Sequence, residues 1–109
     1  MPIELWLDDL DEPQRRAARA VLAVARRYRG LVIEAVSVGV LIKRVRTVVE
    51  LRPRKRWLDL SLVTPARIDS DRVARRGDVA AGAWSVVHLR DQRDVDREVR
   101  AWIALALRA

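Results

Sequence analysis

The sequence predicts a two-layer α+β domain: a four-stranded, mainly antiparallel sheet with helices near the N- and C-termini. Three observations predict it. Apolar residues recur at helical spacing between Asp11 and Gly30, and again from Val95 to Ala106. They alternate in twos over successive runs between Val36 and Thr64. The links between those runs are short, which favours an antiparallel meander.

The first helix has Asp11 as N-cap, Pro13 in the first turn and Gly30 just past Arg29 as its stop. Ala17, Ala18, Val21, Val24, Ala25 and Tyr28 form its apolar stripe. Arg15, Arg16, Arg19, Arg26 and Arg27 fall on the opposite face, where a solvated helix surface accounts for them. The first strand is expected over Val36–Lys43, with Val36, Val38, Val40 and Ile42 on one side. The second runs over Thr47–Arg52 and stops at Pro53, which cannot donate to a central ladder. The third spans Trp57–Thr64, with Leu58, Leu60 and Leu62 inward. Residues 65–83 are irregular, with a short helix expected over Asp69–Arg76. Trp84–Leu89 is the fourth strand. Asp91 is placed to cap the last helix, with Asp94 in the capping-box position and Val95, Val99, Trp102, Ile103 and Ala106 as its stripe. Residues 1–10 read as a strap that lays Trp6 on the body, and residues 11–109 as one domain.

The bulk numbers narrow the function classes. The chain has 109 residues and no cysteine, so thiolate chemistry is excluded. No apolar run is long enough for a membrane span, and the acidic N-terminus lacks a signal-peptide pattern. A cytoplasmic protein with no membrane partner is the expectation. The net charge is +7, with 22 basic residues against 15 acidic. Such an excess points to a polyanion. Only Lys43 and Lys55 are lysines, however, so arginine also serves as the default solubilising cation.

Four stretches resemble a known family. Val48-Val49-Glu50-Leu51-Arg52-Pro53, Leu58-x-Leu60-x-Leu62, Gly82-x-Trp84 followed by Leu89, and Val95-Asp96-x-x-Val99-x-x-Trp102-Ile103 follow the order and spacing of the bacterial domain of unknown function family 5655. The resemblance covers residues 12–108. It implies a fold and no chemistry. Members of that family often occur as one module of a larger protein, sometimes near restriction- or nuclease-like domains. The chain departs from the family at Val38-Gly39-Val40, Val48 and Ala83, where relatives often carry polar residues, phenylalanine and histidine respectively.

Enzyme chemistry finds little support in the residues. His88 is the sole histidine, no GxSxG elbow surrounds a serine, and no glycine-rich phosphate loop is present. Asp69-x-Asp71 and the Asp91, Asp94, Asp96 group lack the pattern of a metal site. No catalytic residue, metal or cofactor is therefore expected. Surfaces remain. Between Lys43 and Arg56 lie seven basic residues and one acid, Glu50. Lys43, Arg44, Arg46, Arg52, Arg54, Lys55 and Arg56, with Trp57, are the candidate nucleic-acid contacts. Charged turns and guarded strand edges account for the same residues without a ligand. Folded as a meander, the two basic turns lie at opposite ends of Thr47–Arg52, about 20 Å apart. Leu41, Val48, Trp57, Trp84, Val86 and His88 would share the outer sheet face. That face suits base stacking, a homodimer or a partner protein. The expectation is a small non-enzymatic binding module, with nucleic acid first and a protein interface on the sheet face as the alternative.

Overall fold

Trp6, Leu7 and Leu10 decide the beginning of the chain. In the computed structural model, which describes residues 1–108, Ile3–Asp8 form a helix, α1. Ile3, Trp6, Leu7 and Leu10 then share one side, and the last three are buried. The expected strap is thus a helix that joins the core. Arg15 ties off its end, donating to the carbonyls of Leu7 and Leu10 at 3.0 and 2.7 Å.

Helix α2 covers Glu12–Ala25, with the Asp11 carboxylate accepting the Gln14 N–H as its cap. It ends four residues before Arg29. The Arg27 and Tyr28 N–H groups turn to carbonyls three residues back, and Gly30 follows at φ 77°. That left-handed backbone turns the chain into the sheet.

Six strands make up the sheet, where four were expected. They are β1 (Val32–Val36), β2 (Gly39–Lys43), β3 (Thr47–Pro53), β4 (Leu58–Thr64), β5 (Val73–Val79) and β6 (Gly82–Leu89). The order is β1-β2-β3-β4-β6-β5, and every pair is antiparallel. The run expected as one strand, Val36–Lys43, turns back at Ser37-Val38, so Val36 pairs with Gly39. A side chain on Gly39 would place its Cβ 2.0 Å from the Leu51 carbonyl oxygen, so only glycine lets β2 lie this close. The helix expected over Asp69–Arg76 is also corrected. Val73–Val79 is an edge strand, held by its ladder to β6.

The last helix, α3, spans Arg97–Arg108. Its cap is Asp96, whose carboxylate accepts the Val99 N–H at 3.1 Å. Asp91 instead caps the short 3-10 turn Gln92–Asp94. Arg72 fastens the start of α3 to the β4–β5 connection through both Asp96 oxygens and the Asp94 carbonyl.

All three helices lie on one side of the sheet. Val40, Ile42, Val49, Leu51, Leu58, Leu60, Leu62, Val87 and Leu89 meet Val21, Leu22, Val99, Ile103 and Leu107 in a continuous core. No helix among the described residues is long and apolar enough to cross a membrane.

Candidate nucleic-acid interface

Strand register determines what the open side of the sheet displays. One cross-strand row is Arg52–Asp59–His88. The next is Leu41–Glu50–Ser61–Val86–Arg75, and a third brings Val63, Trp84 and Gly77 together. Val48 completes that end of the face beside the irregularity where Lys43 pairs with Thr47. Among the described residues no helix covers these rows.

The first row is built around a buried carboxylate. Asp59 is 4% exposed. It accepts from Arg54 Nε at 2.7 Å and from the Trp57 indole N–H at 2.9 Å. His88 Nε2 lies 3.5 Å away, and Arg75 Nη2 lies 3.6 Å away. Burial acts to raise the Asp59 pKa. The hydrogen bonds from Arg54 and Trp57, with the charges of Arg54 and His88, outweigh it and hold the carboxyl below the ordinary aspartate range.

The turn that supplies Arg54 and Trp57 is anchored from the helix layer. Gln14, buried on α2, donates its carboxamide to the carbonyls of Arg54 and Trp57 at 2.6 and 3.1 Å. The Arg54 N–H closes the turn onto the Trp57 carbonyl at 2.7 Å. Sequence reading passed over Gln14 because a glutamine in a helix carries no signal of a partner 40 residues away.

Trp57 is already occupied. The His88 ring stacks on it with centroids 4.6 Å apart, and the Arg90 guanidinium lies over it at 5.6 Å. Trp84 is different. Its indole lies across Gly77, where an added Cβ would meet Nε1 at 2.5 Å, and its other side borders a hollow. That hollow measures about 370 Å³; its wall includes Val48, Val63 and Val86, the guanidiniums of Arg52, Arg54 and Arg75, and the carboxylates of Glu50 and Asp59. A second hollow of about 260 Å³ shares Val48 and Val63 with it and runs to Arg44 and Arg46. The two form a trough across the sheet between the two basic turns.

The candidate basic residues separate by role. Arg44 donates Nε and Nη2 to the Leu107 carbonyl at 3.1 and 2.8 Å, so it closes the C-terminus of α3. Lys43 pairs with Glu34 at 3.6 Å, and Arg52 with Glu50. Arg54 belongs to Asp59. Arg46, Lys55 and Arg56 are exposed and have no carboxylate partner among the described residues. Of the apolar candidates, Val48 and Val86 are buried under their neighbours, and Leu41 is half-buried between Glu34 and Glu50 in its row. Arg75, absent from the candidates, enters the trough because Val73–Val79 is a strand.

Comparison of the chain with protein-family models, curated proteins and solved structures finds no match.

Proposed function

We propose that this is a non-enzymatic binding module whose open sheet face takes single-stranded nucleic acid along the trough. One base seats against Trp84. Phosphates lie against Arg46, Arg75 and the outer edges of Arg52 and Arg54. The carrying observation is the trough itself, an uncovered sheet face that joins an accessible indole to guanidinium groups at both ends. An indole offers any base a π-face to stack on, and arginines beside it supply the phosphate attraction. Duplex DNA fits less well, because a flat sheet face presents nothing to enter a groove. The family 5655 resemblance adds fold-level analogy through the nuclease-like neighbours of its members.

The alternative, an apolar protein interface on the same face, has less to work with. Val48 and Val86 are already buried, and Trp57 is covered by His88 and Arg90.

The test is a fluorescence-anisotropy titration of the protein with mixed-sequence single-stranded oligonucleotides. If three phosphates are held, affinity falls about twentyfold between about 50 and 200 mM salt. Trp84→Ala weakens binding by ~1–3 kcal/mol. Absence of binding at the lower salt rejects the reading.

A further inference from the structure

Four arginines meet on the side of the molecule away from the trough. Arg16, Arg19 and Arg27 come from α2 and the turn after it, and Arg100 comes from α3. They rim a groove of about 440 Å³ whose floor includes Ala20, Ala23 and Val24, with Gln92 at one side. Among the described residues no carboxylate lines it. Arg16 has Glu12 at 3.9 Å and Arg19 has Glu4 at 3.3 Å. Arg27 and Arg100 have no carboxylate partner among the described residues. Converging like charges repel, so this rim is a place where an anion is stabilised.

A complementary surface lies next to the groove on the same chain. The exposed side of α1 carries Leu5, 57% exposed, with Asp8 and Asp9 three and four residues on. That spacing puts an apolar residue and two acids on one side of the helix. Neither aspartate has a cationic side-chain partner among the described residues. The Glu4–Arg19 pair joins α1 to the rim of the groove, so the two surfaces are neighbours.

We infer that the chain forms a two-fold dimer in which α1 of each copy lies in the arginine groove of the other. Adjacent complementary patches are what an isologous interface requires, because one two-fold axis brings each patch onto the other. Lengths agree. The six residues of α1 are about 9 Å long, and Arg16 to Val24 spans about 12 Å of α2. Leu5 meets the alanine and valine floor, while Asp8 and Asp9 meet Arg27 and Arg100. A phosphate backbone would meet the arginines but gain nothing from the apolar floor. The dimer leaves the sheet trough open, and the inference does not depend on what the trough binds.

A charge-reversal experiment by analytical ultracentrifugation tests it. At ~150 mM salt, where the overall positive charge is largely screened, the wild-type chain shows a monomer–dimer equilibrium. Arg27→Glu with Arg100→Glu is monomeric, and so is Asp8→Arg with Asp9→Arg. Mixing the two variants restores a dimer, because each acidic surface again faces a basic one. All four side chains are exposed, and circular dichroism confirms that the variants fold. A wild-type chain still monomeric at ~0.5 mM overturns the inference, since even a small specific interface is populated there. So does a dimer that persists in both variants, which assigns the contact to another face. A monomer whose oligonucleotide affinity drops in the Arg27, Arg100 variant assigns the groove to a phosphate backbone and overturns the dimer as well.

Discussion

The indole N–H of Trp57 donates to the carboxylate of Asp59 at 2.9 Å, and that bond turns an apparent stacking platform into a structural clamp. The indole is held at its edge by Asp59 and on its ring by His88 and Arg90. Of the two half-buried indoles, Trp84 is the one that borders the hollow, and the proposed stacking is assigned to it.

Asp59 makes the end of the sheet sensitive to acid. Its folded-state pKa lies below the unfolded value, so its contribution to stability is complete above the unfolded pKa. That contribution is lost as pH falls through the folded one, a window that lies below about pH 4. Replacing Asp59 by Ala leaves the Trp57 N–H and the Arg54 guanidinium without their acceptor, at a cost of ~1–3 kcal/mol near pH 7. Urea denaturation followed from pH 7 to pH 3 should show a smaller acid loss in the variant than in wild type. Parallel curves would remove Asp59 as the cause.

Gln14 is expected to matter for the opposite face from the one on which it sits. Gln14→Ala takes the side-chain donor from the part-buried Arg54 carbonyl and leaves the Trp57 carbonyl with the Arg54 N–H alone, and it destabilises by ~1–3 kcal/mol. Because the same turn places Arg54, oligonucleotide affinity should fall too. Unchanged backbone amide shifts at residues 54–57 in the variant would show that the anchor is dispensable.

Gly77→Ala probes the hollow without altering charge. Its backbone is not in the left-handed region, so alanine is conformationally acceptable there. The new methyl group instead meets the Trp84 indole, which must move. The Trp84 indole N–H resonance should shift, and oligonucleotide binding should weaken while the salt dependence stays the same. An unmoved resonance would contradict the close contact.

Arg44 borders the second hollow, but its guanidinium is taken up by the Leu107 carbonyl, so it separates structural from ligand-facing arginines. Arg44→Ala removes the cap on the Leu107 carbonyl and destabilises by ~1–2 kcal/mol, yet it should leave nucleic-acid affinity within twofold. Arg75→Ala should do the reverse, with little change in melting temperature and weaker binding. Equal effects on affinity would mean that Arg44 also faces ligand.

Several misread elements carried a signal that was weak for a physical reason. The alternation over Val36–Lys43 continues across a turn, because Val38 is an exposed turn residue that happens to fall in phase. The parity of the inward residues reveals the break: Ile33 and Ala35 face in before it, Val40 and Ile42 after it. Spacing along α1 is helical, but six residues are too few to form a helix without the body they pack on. Val73–Val79 offers no apolar alternation, since an edge strand half in solvent can be polar and draw its stability from the ladder.

By itself the sequence determined the α+β class, the inward face of the central strands, the start of α2 at Asp11 and the apolar stripe of α3. These follow from local periodicity and caps, which act within a few residues. Only the tertiary structure decided which charges are free. Arg44 meets Leu107 across 63 residues, Gln14 meets Arg54 across 40, and β6 inserts between β4 and β5. Ion pairs and end caps depend on distances in space, and no spacing along the chain encodes them. The basic stretch from Lys43 to Arg56 is continuous in sequence. Folding divides it into a cap at Arg44, side chains paired with carboxylates at Lys43, Arg52 and Arg54, and the exposed Arg46, Lys55 and Arg56, of which Arg46 lines the trough.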